Sequence, residues 1–348
     1  MCYNAAMNAK DILELYAPEI DAALRASLPA GEERLRGFYG MMRYALGWVD
    51  AQFQPTQADV GKRWRPALCL LACAAAGDGN YHRALPAAAA LELVHNFSLI
   101  HDDIEDGSLE RRHRPTVWYL WGVPQGVNTG DGLLMLAHQA LARLADAGVD
   151  TATIVAVTQV LDQACLELCQ GQFLDLSYEG RLDVTVDDYL AMIGGKSAAL
   201  IAAATQMGAM LAAATPVSVA HYRRFGQRLG LAFQIADDVL GIWGDPAVTG
   251  KPAADDLARR KKSLPVVYAL RQPGGWRLAA LYRQEVLSPD DVQQVLLLMD
   301  EAGARAYAQG MAANYRDSAL AELAATGLQN EAQEQLITLA HFAVERVY

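Results

Sequence analysis

Long stretches rich in alanine and leucine, with apolar residues at helical spacing, dominate this sequence of 348 residues. Clear examples are residues 33–53, 84–104, 151–177, 187–214 and 217–243. Alternating β-branched runs are scarce, and no Asn-Gly or Asp-Gly turn joins two of them. The pattern therefore predicts an all-α fold, a single-domain bundle of about a dozen helices over residues 1–348.

Breaks in the pattern predict where helices end. Pro124, Gly180, Pro216 and Pro273-Gly274-Gly275 interrupt the helical stretches. Two longer breaks, Asp106–Thr116 and Gly244–Ser263, are charged and follow very apolar stretches that carry paired aspartates. Polar loops at the ends of buried helices often carry function, so these two loops are the first places to look for a site.

Composition excludes several classes of protein. Hydrophobic residues make up 53% of the chain and charged residues 20%, so an intrinsically disordered chain is excluded. The formal net charge is −11, which excludes the overall basic surface of a nucleic-acid-binding protein. An anionic substrate would therefore need locally concentrated cations or metal ions.

The chain shows no sign of membrane insertion or secretion. The first residues lack a basic start followed by an apolar run, so no signal peptide is predicted. The uncharged segment Ser197–Ala220 is rich in alanine and carries polar groups, which predicts a buried core helix rather than a membrane span. Cys69, Cys73, Cys165 and Cys169 lie in apolar surroundings and are interpreted as reduced core residues, which favours a cytoplasmic protein.

A first acidic cluster, His101-Asp102-Asp103-Ile104-Glu105-Asp106, closes one apolar stretch. Asp102 and Asp106 would share a helix face, one turn apart. Mutual repulsion of these carboxylates is relieved if a hard divalent cation binds them, and oxygen ligands suit Mg²⁺. The alternative is an ordinary solvated helix end.

A second acidic pair, Asp237-Asp238, comes directly out of the uncharged sequence LGLAFQI, with Gln234 one turn earlier. Two apolar helices that each end in paired aspartates are much rarer by chance than one. If the two helices face each other, they could hold metal ions whose coordination is completed by water and substrate phosphate.

Cations accompany both acidic groups, although the protein as a whole is acidic. They precede the first group, follow each group or stand before an uncharged helix: Lys62, Arg63, Arg65, Arg111, Arg112, Lys196, Lys251, Arg259, Arg260, Lys261 and Lys262. Arginine and lysine bind phosphate oxygens, although any single one could be a surface salt-bridge partner. Acids, metal and cations around an apolar cavity describe a site for a diphosphate with a hydrocarbon tail.

Seven segments in order resemble the trans-isoprenyl diphosphate synthases, the family of farnesyl and geranylgeranyl diphosphate synthases. They are GKRWRP (61–66), LVHNFSLIHDDIED (93–106), RRHRPT (111–116), GQFLDL (171–176), GGKSAAL (194–200), AFQIADDVLGIWGD (232–245) and GKPAADDLARRKKSLP (250–265). The resemblance implies a single helical domain around a central apolar cavity, with residues 1–35 as a variable N-terminal region. It also implies a homodimer and a Mg²⁺-dependent transferase, with three ions once substrate is bound.

The resemblance also implies individual roles. Asp102, Asp106 and Asp237 would bind Mg²⁺, with Asp103 and Asp238 supporting them. The allylic diphosphate would be held by Arg111, Lys196, Lys251 and Lys261, and isopentenyl diphosphate by Lys62, Arg65, His95 and Arg112. Lys196, Ser197 and Gln234 would act at the reacting centre, where the dipoles of Ser197 and Gln234 face the allylic cation. The implied reaction is ionisation of the allylic diphosphate, attack by the isopentenyl double bond, and loss of a proton, with the released diphosphate as candidate acceptor.

One position departs from the family pattern. Gly241 stands where the second motif usually has a third aspartate, which would weaken the support of one metal. Asp245 is a candidate to compensate from the following loop.

Product length is expected to depend on Phe97 and Ser98, five and four residues before Asp102. These positions lie about 6–7.5 Å up a helix, where a bulky group would form the floor of the tail cavity. An aromatic residue at the fifth position alone resembles the archaeal geranylgeranyl type, so a C20 product is expected, with C15 and C25 open. Phe97 could instead be ordinary core packing.

Two other functions stay open at this stage. A class I terpene cyclase on the same fold would keep the aspartates without needing isopentenyl diphosphate, and Gly241 slightly favours it. The set Lys62, Arg65, His95 and Arg112 argues against it. A non-catalytic partner subunit of a prenyl synthase should have lost more of the metal ligands.

Overall fold

The computed structural model describes residues 7–56, 58, 61–244, 257, 260–284 and 286–345. Within them the α-helices, numbered in chain order, are α1 Ala9–Ser27, α2 Arg36–Ala45, α3 Trp64–Ala76, α4 Leu85–Glu105, α5 Val117–Trp121, α6 Val123–Ala142, α7 Thr151–Tyr178, α8 Val186–Ile193, α9 Ala199–Leu211, α10 Pro216–Trp243, α11 Leu264–Leu270, α12 Gly275–Tyr282, α13 Pro289–Glu301, α14 Ala304–Ala325 and α15 Glu331–Glu345. A π-helical turn, Gly194–Ala198, joins α8 to α9. The predicted all-α fold is confirmed.

The chain divides into two compact units. Unit 1 consists of Met1–Asp162, Ala204–Val219 and Gln329–Leu336. Unit 2 consists of Gln163–Ala203, Ala220–Leu328 and Ile337–Tyr348. The first aspartate group belongs to unit 1 and the second to unit 2. The predicted single domain and the predicted meeting of the two aspartate helices stay predictions.

In unit 1 the centre of the core is α4, whose alanines Ala87–Ala90 are fully buried. It packs against α6, where glycine permits close approach. A Cβ atom added at Gly130 would collide with the ring of His101, and one at Gly126 would lie 2.8 Å from Ile104 Cδ1. This tight packing holds the C-terminal turn of α4, which carries Asp102 and Asp106.

The predicted charged loop Asp106–Thr116 contains a short hairpin, β1 Glu110–Arg111 paired antiparallel with β2 Arg114–Pro115. Its two turn residues, Arg112 and His113, both have positive φ (52° and 59°). This suits the right-handed twist of a two-residue hairpin but is strained for residues with a side chain. The Arg114 guanidinium donates to the carbonyls of Tyr44 and Val49 and lies 4.0 Å from the centre of the Tyr44 ring, which anchors the hairpin.

In unit 2 one cluster of buried residues joins α8, α10, α11, α14 and the end of the chain, with Tyr189, Ile235, Val267 and Ala312 among its members. Glycine again allows close backbone approach. A Cβ at Gly171 on α7 would collide with the backbone nitrogen of Lys196, and one at Gly230 on α10 would lie 2.5 Å from Ala198 Cα. The GQFLDL and GGKSAAL segments thus contact each other because their glycines have no side chains.

Several helix limits differ from the sequence prediction. The stretch 33–53 is helical only to Ala45, because the following residues turn and Val49 bridges Pro55. Pro124 and Pro216 mark helix boundaries as predicted, and they occupy the first positions of α6 and α10, where a missing N–H is tolerated. The second aspartate pair does not end a helix, since α10 continues to Trp243.

Helix α7 is apolar yet mostly exposed. It is long and apolar enough to cross a membrane by length and composition, and only 22% of its most apolar window is buried. Leu166 and Phe173 are 54% and 70% exposed. Cys169 is exposed as well, so its prediction as a core residue was wrong, whereas Cys69 and Cys73 are buried as predicted. The uncharged segment Ser197–Ala220 was predicted to be a buried core helix, and its residues 199–211 are largely buried, as predicted.

Candidate active site

The first aspartate group lies on the last turn of α4 in unit 1. Asp102 is partly buried, Asp103 is buried, and Asp106 is exposed at the helix C-cap. The Arg111 guanidinium bridges the first two, with Nη2 2.9 Å from Asp102 Oδ2 and Nε 2.8 Å from Asp103 Oδ1. Burial raises the pKa of Asp103 to about 6, although the charge of Arg111 acts in the opposite direction. Asp103 therefore supports the group from behind while Asp102 and Asp106 border the solvent.

A cationic group lies beside these aspartates in unit 1. Arg65 Nη1 lies 3.2 Å from His95 Nε2. The guanidinium of Arg112 rests against Gly61, where an added Cβ would lie 2.8 Å from Nη2. Gly61 has φ +88° and immediately precedes the exposed Lys62. Burial and the neighbouring arginines, Arg65 first and Arg112 second, hold the pKa of His95 well below its ordinary value, so the imidazole is neutral.

A buried ion pair holds the loop that carries Lys62 and leads into α3, on whose first turn Arg65 lies. Arg63, 5% exposed and with φ 49°, donates to Glu92 at 2.7 Å and lies 3.1 Å from Asp21. Asn96 donates to the same Glu92 carboxylate at 3.0 Å. Because Glu92 and Asn96 lie on α4, the loop is tied to the helix that also carries His95 and Asp102. Unit 1 thus brings Arg65, His95 and Arg112 together, and the exposed Lys62 follows Gly61 in the adjoining loop.

Phe97 and Ser98 lie on the same helix. Phe97 is buried and packs edge-on against His101, with ring centres 5.5 Å apart. Ser98 is partly exposed and donates to the His95 carbonyl at 2.8 Å, so its small side chain folds back on the helix. The ring of Phe97 is therefore held inside the core of unit 1, while Ser98 leaves space beside it.

In unit 2 the π-helical turn presents two predicted residues. Lys196 Nζ lies 2.5 Å from Asp175 Oδ2 of α7, so the predicted phosphate ligand is held by a carboxylate of the GQFLDL segment. A π-helical turn widens the helix and is frequent at functional sites. Within it, the Glu167 carbonyl of α7 leaves no room for a side chain at Gly195.

A chain of buried hydrogen bonds connects the remaining predicted residues of unit 2. Ser197 Oγ donates to Gln234 Oε1 at 2.7 Å, and Gln234 Nε2 donates to Asp238 Oδ1 at 3.2 Å. The other oxygen of Asp238 accepts from the Tyr189 hydroxyl at 2.5 Å and from the Leu264 backbone N–H at 2.8 Å. Burial, followed by the charge of Asp238, raises the pKa of Tyr189 well above its ordinary value, so the phenol is a hydrogen-bond donor.

Asp237 and Asp238 therefore differ in their surroundings. Asp238 is 1% exposed and surrounded by three donors, whereas Asp237 is partly exposed. Gly241, one turn later, is also partly exposed and adds no carboxylate. Of the second pair, Asp237 is the residue placed to reach a ligand from solvent.

The donor set fits a hard divalent cation. Within the described residues, no group of three or more His, Cys, Asp and Glu side chains is close enough to hold a metal alone. Mg²⁺ is usually bound by one or two carboxylates together with water and substrate phosphate, so a few oxygen ligands suffice. Asp102 and Asp106 in unit 1 and Asp237 in unit 2 are the side chains that would hold such ions.

The second polar loop is described only at its end. Lys251 and Asp245, both named from the sequence, lie outside the described residues. Lys261 is exposed, whereas Lys262 is buried and donates to the Glu179 carbonyl at 2.9 Å. Burial lowers the pKa of Lys262 to about 8. Of these two neighbours, Lys261 therefore borders the solvent from which an anion would arrive, and Lys262 anchors the chain.

The sequence matches known proteins over most of its length. A profile of the polyprenyl synthetase family matches residues 47–299. The chain belongs to the polyprenyl synthetase family. It is 43% identical to a geranylgeranyl diphosphate synthase of Mycobacterium tuberculosis, over 90% of this chain and 88% of the relative. It is 41% identical to a (2E,6E)-farnesyl diphosphate synthase of Mycobacterium bovis, over 88% and 85%.

Solved structures agree with this family membership. A polyprenyl synthetase of Streptomyces coelicolor superimposes with a TM-score of 0.89 at 36% identity, over 97% of this chain and 100% of that one. A geranylgeranyl pyrophosphate synthetase of Pyrococcus horikoshii superimposes with a TM-score of 0.86 at 32% identity, over 97% and 98%. The predicted family is confirmed.

Three further residues of the candidate site were not singled out from the sequence. Asp175 holds Lys196, Glu92 holds the loop of Lys62, and Tyr189 holds Asp238. Asp175 could have been found, because it lies in the GQFLDL segment already used for the resemblance. A buried Glu or Tyr inside an apolar helical stretch gives no signal of its partner, which lies 29 or 49 residues away.

Proposed function

We propose that this protein is a metal-dependent prenyltransferase that condenses isopentenyl diphosphate with an allylic diphosphate into a linear all-trans prenyl diphosphate. The observation that carries the proposal is the grouping of Arg65, His95, Arg112 and the Lys62 loop beside the aspartates of α4. A cyclase needs one diphosphate site, whereas this second cationic group gives unit 1 the means to hold another anion. The named synthases among the relatives support the same reaction.

Each residue group has a distinct task in this proposal. Asp102, Asp106 and Asp237 would hold the Mg²⁺ ions, three when substrate is bound, and these would supply the positive charge that favours departure of the allylic diphosphate. Lys62, Arg65, His95 and Arg112 hold isopentenyl diphosphate, while Arg111, Lys196, Lys251 and Lys261 hold the allylic diphosphate. His95 is neutral and can accept from Arg65, which leaves the guanidinium fixed for the phosphate.

The allylic cation needs dipoles and a dry environment. Ser197 donates its hydroxyl proton to Gln234, so its lone pairs stay available to face positive charge. No described side chain near Ser197 is needed as a base, because the departing diphosphate can take the proton. Apolar helix faces exclude water that would otherwise capture the cation.

We propose geranylgeranyl diphosphate (C20) as the main product. Relatives named for C15, C20 and C25 products lie at 41%, 43% and 37% identity, so similarity alone does not decide. The buried Phe97 and the small, partly exposed Ser98 support a floor one helical turn above Asp102. This corresponds to the pattern with one aromatic residue rather than two.

We further propose that the protein acts in the cytoplasm as a homodimer. Its α7 helix exposes Leu166 and Phe173, and Leu176 on the same helix is 36% exposed. Exposed apolar surface of this kind is typical of an interface between protein subunits. Coverage by a second copy would remove this surface from water without any membrane.

Omitting one substrate tests the reaction. The enzyme is incubated with Mg²⁺ and geranyl diphosphate, with and without isopentenyl diphosphate, and hydrocarbons and prenyl alcohols are separated after dephosphorylation. Prenyl alcohols longer than the starting chain, formed only with isopentenyl diphosphate, are expected. Cyclic hydrocarbons formed without it would establish a cyclase instead.

A further inference from the structure

Asp238 of unit 2 is built as an acceptor for donors within the protein. Its two oxygens accept from Tyr189, Leu264 and Gln234, and the side chain is almost fully buried. A carboxylate with three donors in place has few lone pairs left for a metal. Its neighbour Asp237 is the partly exposed member of the pair.

Because residue 238 is an aspartate, the donor and the acceptor of each hydrogen bond from Asp238 through Gln234 to Ser197 are fixed. A carboxylate can only accept, so Gln234 must turn its NH₂ group toward Asp238 and its carbonyl oxygen toward Ser197. Ser197 must then donate to that oxygen. The Ser197 lone pairs, not its proton, are left for a third partner.

We propose that Tyr189 and Asp238 are positioning residues that set the polarity of the Ser197–Gln234 pair. This deepens the proposed function and rests on it, since the pair would face the allylic cation. The bond from Tyr189 and the bond from Leu264 converge on one oxygen, which prevents rotation of the carboxylate and presents the other oxygen to Gln234. A reversed pair would instead point a hydroxyl proton toward developing positive charge.

An amide at position 238 should reverse the direction of the hydrogen bond between Gln234 and Ser197. In the variant Asp238→Asn, the new side chain would keep its oxygen toward Tyr189 and Leu264 and turn its NH₂ group toward Gln234. Two NH₂ groups would then face each other, so the Gln234 amide flips and donates to Ser197 Oγ. We expect Asp238→Asn to lower kcat by about 10- to 100-fold, the usual effect of losing a residue that orients a site. KM for both substrates should change less than about twofold, because the cations that hold the diphosphates are unchanged.

A second substitution should restore the original direction. In the double variant Asp238→Asn with Gln234→Glu, the amide at position 238 donates to the carboxylate at position 234, which also accepts from Ser197. We expect the double variant to recover at least about tenfold in kcat over Asp238→Asn, a coupling that only interacting residues show. If Asp238 were instead a metal ligand, both variants would lack it equally and no recovery would occur.

A tyrosine pair keeps the test decisive if the asparagine variant does not fold. Tyr189→Phe removes one donor to Asp238. Tyr178→Phe makes the same change in the same buried cluster, at a tyrosine outside the Tyr189–Asp238–Gln234–Ser197 series of hydrogen bonds. Thermal unfolding confirms that each variant is folded. We expect kcat of Tyr189→Phe to fall about fivefold or more below that of Tyr178→Phe at unchanged KM. Equal kcat values would overturn the proposal, and so would an inactive double variant that folds. An inactive wild-type enzyme would instead refute the proposed function.

Discussion

At the scale of single residues, the state of His95 is the most specific consequence of the site. Its ring is surrounded by arginines, and its low pKa keeps it neutral. Below about pH 6.5 the unfolded chain gains a proton at this histidine that the folded protein does not gain. The destabilising effect is therefore absent above about pH 6.5, and folded stability is lost as the pH falls through that value.

Replacing His95 by Gln should remove this acid sensitivity. The glutamine oxygen can take the place of Nε2 as acceptor from Arg65. Between about pH 6.5 and 5, we expect the free energy of unfolding of the wild type to fall by up to about 1.4 kcal/mol per pH unit relative to that of His95→Gln. Urea unfolding at each pH measures the difference. His113→Gln, which changes an exposed ring of the hairpin, is the control. The explanation would be contradicted if the stability of the wild type and that of His95→Gln changed equally with pH.

Product length is also decided by single side chains. We expect Phe97→Ala to open the space beyond the first turn above Asp102 and to lengthen the main product by at least one five-carbon unit. Ser98→Phe adds a second ring where the serine side chain is small, and should shorten the product. Chromatography of the dephosphorylated alcohols measures both. If neither variant changes the product, Phe97 is ordinary core packing.

At the scale of helices, glycine decides whether the site can form in unit 2. Gly195 contacts the Glu167 carbonyl of α7, while its neighbour Gly194 has no side chain or foreign backbone within 4 Å of an added Cβ. The π-helical turn that presents Lys196 and Ser197 can therefore pack against α7 only with glycine at position 195. Two adjacent glycines are therefore under very different constraints.

Gly195→Ala should destabilise the protein by about 2 kcal/mol, because a methyl group is forced into packed backbone. It should also lower kcat, because displacement of the turn moves Lys196 from Asp175. Gly194→Ala has space and should be neutral or stabilise by up to about 1 kcal/mol through helix propensity. Denaturant unfolding measures the stability of both variants, and steady-state kinetics measures their kcat. Similar losses in both variants would refute this explanation of the turn.

The sequence predicted the helices better than their contacts. Apolar spacing located α4, α7 and α10 closely, since each has many residues at helical period. It did not predict the hairpin at Glu110–Pro115, which is too short for an alternating pattern, or the end of α2 at Ala45. Lys62, Arg65, His95 and Arg112 were predicted only through the resemblance, because no local pattern reveals that residues 30 positions apart will meet.

At the scale of the whole molecule, the exposed apolar face of α7 is unexplained by the single chain. The sequence could not show it, because apolar spacing does not distinguish a face that packs inside a chain from one that packs against a second copy. Cys169 illustrates this, since the same surroundings predicted burial and the residue is exposed.

A charge on this face should prevent association. We expect the wild type to be a dimer and Phe173→Glu to be largely monomeric, because the interface would bury an unpaired carboxylate. Val217→Glu is the matched control, since Val217 is 70% exposed, as Phe173 is, but lies on α10. Light scattering after size-exclusion chromatography measures the mass. A monomeric wild type would contradict the homodimer, and a dimeric Phe173→Glu variant would contradict an interface at this face of α7.

The most direct test of the central claim counts the five-carbon units that the enzyme adds. The enzyme is incubated with Mg²⁺, geranyl diphosphate and isopentenyl diphosphate labelled with ¹³C at all carbons. The mass of the dephosphorylated product is measured by mass spectrometry. A linear C20 alcohol carrying two labelled units is the expected result. A product without label would contradict the condensation, and a labelled product that ends at C15 or C25 would contradict the floor at Phe97 while leaving the reaction in place.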